Sequence, residues 1–441
     1  MLQLGMSRDV QRRDVLKGVG VAGISVGLAG CTGNGNGNGE DTATDEGDGN
    51  MTDGEGDGDM SMQARVGVLL PETGDLGPLG TTIRDGALLA ATQINDADVD
   101  VSVDTQIEDT QTDPQTGVSG AEALVDAGYP AVVGSASSNV NLTITRDVLI
   151  PNEVVGMSPS STAPEVTDLE DDGYIFRTAP SDVLQGQALG LVADDEVGAS
   201  STATLFLNDA YGQALEQQYV NECEELGIEV TNRVSLEPEQ ASYSAQWRDT
   251  LDGDPDAVMV VAFPASGIQL FSDYYNDFAG DETIIIPDGL VDDTLPTEVD
   301  NDFENVIGTG PGAAGPGVEF FNESYQEEYS SSPQVFNAQA YDAMAVHILA
   351  QVAVGGDASG TDVRDNIPAV TEGDGTEVGP SELADGIGML MNDESINYQG
   401  ASSEVEFDDN GDPVSASYDL SEYDPSAGDD GLWVPFDSVS F

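Results

Sequence analysis

Ser158-Pro159-Ser160-Ser161-Thr162-Ala163-Pro164-Glu165 follows the apolar run Val154-Val155-Gly156-Met157. The run reads as a buried strand, and the stretch as what hangs from its C-terminal end. Thr162 is a good N-cap, and Glu165 three residues later completes a capping box, so a helix is expected to open here. Small hydroxyl side chains and free backbone N–H groups would then gather where a strand ends and a helix begins. Open α/β sheets bind ligands at that edge, and anions are favoured at helix N-termini. The plain alternative is that Thr162 only caps its own helix.

A second stretch has the same form. Ala131-Val132-Val133 reads as a strand, followed by Gly134-Ser135-Ala136-Ser137-Ser138-Asn139 and an apolar helix. Together the two loops resemble the ligand loops of the branched-chain amino-acid (leucine-type) solute-binding proteins of ABC importers. The likeness runs from about Ala64 to the C-terminus.

The rest of the chain alternates strand and helix. Val66 to Leu70 is an apolar strand, Ile83, Ala87, Leu88, Ala91 and Ile94 mark one helix face, and Val101, Val103, Thr105 and Ile107 alternate as a strand. A second series follows, with strands at 202–207, 230–234, 258–262 and 283–286 separated by helices. This pattern predicts parallel sheets covered by helices. Val306 to Thr309 and the Gly/Pro run 310–317 read as a return crossing, followed by long helices at 318–329 and 337–354. Glu404 to Phe407, the turn Asp409-Asn410-Gly411 and Val414 to Leu420 read as a closing hairpin, and the tail from Ser421 has no clear place.

The resemblance implies an α/β protein of the type I periplasmic-binding-protein fold. Two lobes, each a parallel-sheet sandwich, would be joined by three hinge crossings near 180, 310 and 401. The first lobe would take 64–180 and 311–400, the second 181–310 and 401–441. Matching the family's ligand loops implies that Ser138 and Thr162 meet a carboxylate, with Ser137 beside them and the Ser160 carbonyl open to an ammonium. Ile286-Pro287-Asp288-Gly289 matches a Pro-Glu-Gly context with Asp for Glu, so Asp288 would neutralise that ammonium. Tyr211, in Asn208-Asp209-Ala210-Tyr211-Gly212, and Phe263 match aromatic walls, while Leu79 stands where the family often has an aromatic. Tyr341 and Arg177 read as core packing and a surface ion pair.

Other chemistry is thin. The single histidine, His347, lies on an apolar helix face and reads as a satisfied core residue. Cys223 has no partner once Cys31 is modified, so no disulfide is expected, although the family often has one in its first lobe. No zinc or Cys/His constellation, nucleophile elbow or phosphate loop assembles, so neither an enzyme, a metal nor a cofactor is expected.

The chain carries 11 basic and 83 acidic residues among 441. Without residues 1–30 the balance is 7 to 81, a net −74. Such self-repulsion is tolerated where salt screens it, since the Debye length is ~3 Å at 1 M. A protein of a halophilic archaeon is inferred, and ordinary nucleic-acid binding is excluded. Gln11-Arg12-Arg13-Asp14-Val15-Leu16-Lys17 resembles a twin-arginine export signal, and Leu28-Ala29-Gly30-Cys31 a lipobox. Residues 1–30 would be a signal peptide, Cys31 the lipidated first residue, and 31–63 an acidic tether spanning roughly 30 Å. Asp53 to Gly58 looks superficially like a calcium loop, but Ala64 stands where a bidentate Glu is needed.

The expected function is capture of an amino acid outside the cell by a lipid-anchored monomer that hands it to an ABC permease. A ligand-sensing receptor subunit, or binding of an amide or carboxylate, is the alternative.

Overall fold

The computed structural model describes residues 62–428 and 431–441. The signal, Cys31 and the tether up to residue 61 lie outside the described residues.

The first sheet is parallel throughout. It is built from β1 (Met62–Leu70), β2 (Val101–Asp109), β3 (Ala131–Gly134), β4 (Val155–Ser158) and β5 (Ile175–Arg177), in the order β2-β1-β3-β4-β5. Its connections are α1 (Gly77–Asp96), α2 (Pro114–Asp126) and α3 (Ser138–Ile144). Asp113 caps α2 by accepting from Thr116 N–H at 2.8 Å, with Pro114 at the first helical position. β3 and β4 are buried along their whole length, which explains their continuous apolar runs.

The chain then leaves for a second sheet. α4 (Asp182–Leu191) is followed by β6 (Ser201–Leu207), α5 (Ala210–Leu226), β7 (Glu229–Leu236), α6 (Ser244–Thr250), β8 (Ala257–Val261), α7 (Pro264–Asp277), β9 (Thr283–Ile286), α8 (Leu295–Val299) and β10 (Val306–Pro311). It returns through α9 (Val318–Tyr329), α10 (Asn337–Val354), α11 (Gly360–Thr371), β11 (Thr376–Val378), α12 (Leu383–Met391) and β12 (Ile396–Tyr398). α10 packs on α1, α11 and β1, and is buried from Asn337 to Val352. Finally β13 (Ser417–Asp424) and β14 (Leu432–Ser440) join the second sheet, whose order among the described residues is β14-β13-β10-β9-β8-β6-β7. Two α/β lobes result, with the chain passing between them after β5, after β10 and before β13.

The expected closing hairpin is corrected. Residues 404–407 form no strand; Phe407 makes only an isolated bridge with Pro413. The turn does form, with Gly411 N–H donating to the Asp408 carbonyl at 3.0 Å. Its outer carbonyl, Gly411 O, is taken by Arg177 N–H at 3.0 Å, so the segment is pinned to β5, and its pairing stops once Val414 N–H has donated to the Glu406 carbonyl at 3.1 Å. Asp342 holds the same segment from α10, accepting from Tyr398 Oη, Ala401 N–H and the Ser402 N–H and hydroxyl at 2.5–2.9 Å. The third passage between sheets therefore lies near 413–417 rather than 401, and the unplaced tail supplies the antiparallel pair β13–β14.

Tyr341 is core, as its buried ring against Phe321 shows. Cys223 is buried and free, its thiol pushed up to about 11 by burial. His347 is buried with Nε2 3.3 Å from the Val132 carbonyl, but Nδ1 has no partner, so its satisfaction is only half of that expected.

Candidate functional site

The C-terminal ends of β1, β3 and β4 in one sheet and of β6, β8 and β9 in the other release loops into a common cleft. Leu76, Leu79, Ile83, Ala136, Ser137, Ser138, Ser160, Tyr211, Phe263, Asp288, Gly289 and Phe336 line a nearly closed cavity there, with about 10 Å³ of free space. That is room for on the order of one water, so the two walls stand nearly in contact. Seven of the eight residues singled out from the sequence line it.

Thr162 does not line the cavity, and its capping role is corrected too. Only a short 3-10 turn, Pro164–Val166, follows it, with Ala163 before the turn and no side-chain cap. The Thr162 hydroxyl is fully buried and unpartnered, and its carbonyl accepts from Asp182 N–H at 2.8 Å. Pro164 and the tight 3-10 geometry replace the helix that the capping-box spacing suggested.

Ser158 binds the two first-lobe loops together. Its hydroxyl donates to the Ser135 carbonyl at 2.6 Å and accepts from Ser161 N–H at 2.9 Å. Ser138 Oγ accepts from Ala163 N–H at 3.3 Å, and Asn141 Oδ1 from Ser135 N–H at 3.1 Å. Ser160 Oγ is buried without a partner. Leaving a buried hydroxyl unmade costs about 1–3 kcal/mol, so a ligand that completes it gains more than an exposed contact would.

Arg177 corrects the expectation of a surface pair. It is fully buried, with Nε 2.6 Å from Asp412 Oδ1 and Nη2 2.9 Å from Oδ2. Nη1 donates to the carbonyls of Ser161 at 3.3 Å and Ala163 at 3.0 Å. The guanidinium thus holds the backbone of the Ser160–Ala163 loop from behind.

Across the cavity, Asp288 sits where β9 ends and is 3% exposed. Tyr211 Oη donates to its Oδ1 and accepts from Gly289 N–H, both at 3.3 Å. Burial pushes the Asp288 carboxyl up to about 7, against the lowering effect of its hydrogen bonds from Gln185 and Tyr211. The Tyr211 ring stacks on Phe263, centroids 5.5 Å apart and planes 7° from parallel. Gly289 is needed for this approach, because a Cβ there would lie 2.8 Å from Ala262 O and 3.1 Å from Tyr211 Oη.

The cavity is amphipathic. Serine hydroxyls face a carboxylate, while Leu76, Leu79, Ile83, Phe263 and Phe336 form an apolar wall. Leu76, Ile83, Ala136, Gly289 and Phe336 escaped the sequence reading. Ile83 was visible only as a helix face, and Phe336 enters through a left-handed backbone, φ 70°, that nothing around it signals. The lobes also touch directly. Asp75, before α1, accepts from Ser266 N–H at 2.6 Å through Oδ1, and its carbonyl accepts from Ala265 N–H at 3.1 Å. Both donors belong to the first turn of α7.

A family profile described as periplasmic binding protein matches residues 63–390. The chain belongs to that family. Among relatives, a leucine-, isoleucine-, valine-, threonine- and alanine-binding protein of Pseudomonas aeruginosa is 32% identical over 164 residues, covering 36% of this chain and 43% of the relative. A Leu/Ile/Val-binding protein, BraC3, of Rhizobium johnstonii is 26% identical over 227 residues, 51% of this chain and 61% of the relative. The chain spans about half the length of the curated relatives it matches. In fold it resembles a leucine binding protein from Thermotoga maritima, TM-score 0.70 at 22% identity, covering 85% of this chain and 98% of the other. It also resembles an ABC-transporter solute binding protein of R. palustris in complex with 4-hydroxybenzoate, TM-score 0.69 at 14% identity, covering 86% and 97%. Among the described residues no helix is long and apolar enough to cross a membrane.

Proposed function

We propose that this member of the family captures an amino acid between its lobes and delivers it to an ABC permease. The observation that carries this reading is Asp288, buried across a small cavity from Ser137, Ser138 and Ser160. An anion acceptor on one wall and an acid on the other suit a solute with a carboxylate and an ammonium, and the apolar wall suits its side chain. Relatives named for leucine, isoleucine and valine support the same ligand class. The protein works outside the cell as a monomer, held to the membrane through Cys31 after twin-arginine export, in a salt-rich habitat. A carboxylate without an ammonium is the second reading, favoured by the aromatic wall of Tyr211, Phe263 and Phe336; a buried Asp288 opposes it.

Calorimetry in molar KCl with the standard amino acids tests the reading. Asp288→Asn keeps the shape and removes the countercharge, at a cost of roughly 2–5 kcal/mol, or about thirty- to several-thousandfold in affinity. An N-acetylated ligand should weaken to a similar degree. If both bind as well as the native pair, or if 4-hydroxybenzoate binds and no amino acid does, the amino-acid reading is wrong.

A further inference from the structure

A larger hollow adjoins the solute cavity. It measures about 480 Å³ and lies between α9 and the start of α10 on one lobe and β10, β13 and β14 on the other. Phe336 lines both spaces and so stands at the boundary between them. The sheet leads from one to the other. β9 and β10 pair Ile286 with Gly308, and the same register carried on by two residues brings Asp288 beside Gly310. A Cβ on Gly310 would lie 3.8 Å from Asp288 Cα, as that register requires. On its other side Gly310 pairs with Asp419 of β13. Asp288 and Asp419 therefore flank Gly310 in one row across three strands, about 10 Å apart at the usual strand spacing. The same Cβ would lie 3.1 Å from Val335 Cγ2, so Val335 and Phe336 are what stands between the two spaces.

The hollow is rich in acceptors. Its lining includes the carboxylates of Asp293, Asp419 and, at the exposed rim, Glu323, and it contains no Lys, Arg or His. The Asp419 carboxylate lies against Gly312, where a Cβ would meet Oδ1 at 2.9 Å, and no hydrogen bond reaches it among the described residues. Asp293 uses Oδ1 to accept from Trp433 N–H at 2.9 Å. Gln334 Oε1 is buried and unpartnered. Gln339, 2% exposed, donates through Nε2 to the Gly312 carbonyl at 3.4 Å, and no donor reaches its Oε1 among the described residues. Open acceptors of this kind suit a ligand group that only donates, and ammonium and guanidinium are such groups. Trp433 and Phe336 line the same hollow, and a guanidinium packs well against aromatic rings.

We propose that the hollow is a second subsite of the solute site, that it takes a cationic group at the far end of the solute's side chain, and that the captured amino acid is a basic one of the length of arginine or lysine. Asp419 pairs with the distal cation while Asp288 meets the α-ammonium, and Val335 and Phe336 turn aside to join the two spaces. The inference rests on the amino-acid reading of Asp288.

Calorimetry of the full chain in molar KCl, which screens the formal −72 that would draw any cation, compares arginine, lysine, leucine and citrulline. Citrulline has the length of arginine without its charge. The wild type should bind arginine or lysine about tenfold or more tightly than both citrulline and leucine, because only the basic side chains complete the charge pair. Asp419→Asn keeps the shape of the wall and should bring that preference down to about twofold or less. Leucine or citrulline bound as tightly as arginine and lysine overturns the proposal and leaves the amino-acid reading standing. A preference unchanged in Asp419→Asn does the same. If no amino acid binds, that reading falls, and agmatine, which keeps the guanidinium and lacks the carboxylate, decides the hollow. Agmatine bound by the wild type and about tenfold or more weaker in Asp419→Asn supports it. No agmatine binding, or binding unchanged in the variant, refutes it.

Discussion

At the scale of single residues, the side chains whose chemistry is announced by their place at a strand end were the legible ones. Ser138 and Asp288 follow short apolar runs directly, and a buried parallel strand leaves little freedom in where its next residues emerge. Thr162 was misjudged because the capping-box spacing competes with Pro164, and in the fold the proline wins. Arg177 was misjudged because its partner, Asp412, is 235 residues away, and no local pattern reports such a pair. Burying that pair makes it sensitive. Arg177→Ala strands Asp412 and two loop carbonyls, and should destabilise by about 3–5 kcal/mol. Arg177→Lys keeps the charge but not the fork, so it should recover only part of the loss. Denaturant melts in high salt measure both. If Arg177→Ala melts with the wild type, the pair is not holding the loop.

At the scale of elements, the periodicity of α1, α5 and α10 and the apolar runs of β1, β3, β4, β8 and β9 were readable because each element obeys one repeat. The segment 401–412 was not, because its backbone bonds are scattered over β5, Asp342, residues 314–315 and Val414 instead of running along one neighbouring strand. β14 was also hidden, since most of its residues are exposed or half-buried and it carries Pro435 on the sheet's edge. A different element pair makes a prediction about closure. Asp75 reaches from the start of α1 to the first turn of α7, where an anion meets free N–H groups and the helix dipole. Asp75→Asn should remove the charge, favour separated lobes, and weaken solute affinity by roughly five- to thirtyfold, for a loss of about 1–2 kcal/mol. Small-angle scattering should show a larger ligand-free radius in the variant. Identical scattering and affinity would mean that the bond does not hold the lobes.

At the scale of the whole molecule, two strand–helix series were legible in the pattern; their arrangement as two lobes came from the family resemblance, and the position of the third passage from neither. The net charge acts on the assembly rather than on any one contact. With a formal −72 over the chain, compaction brings like charges together, and salt relieves them. The melting temperature should therefore rise strongly between dilute buffer and multimolar KCl, with sucrose giving no equal effect at matched osmolality. A melt independent of salt would contradict the inference of a salt-rich habitat.

The Asp75 bridge has a consequence for any partner that reads this protein from outside. It joins the lobes without using the solute, so part of the attraction that shuts the cleft is present when the cleft is empty. A fraction of shut, vacant molecules follows, set in part by the bridge. They show a docking partner much the same outer surface as loaded molecules do. They would act as decoys, occupying it and prompting cycles that carry nothing. Strengthening the bridge would tighten capture and multiply the decoys; weakening it would make every shut molecule a truer report of cargo, at the expense of scavenging dilute solute.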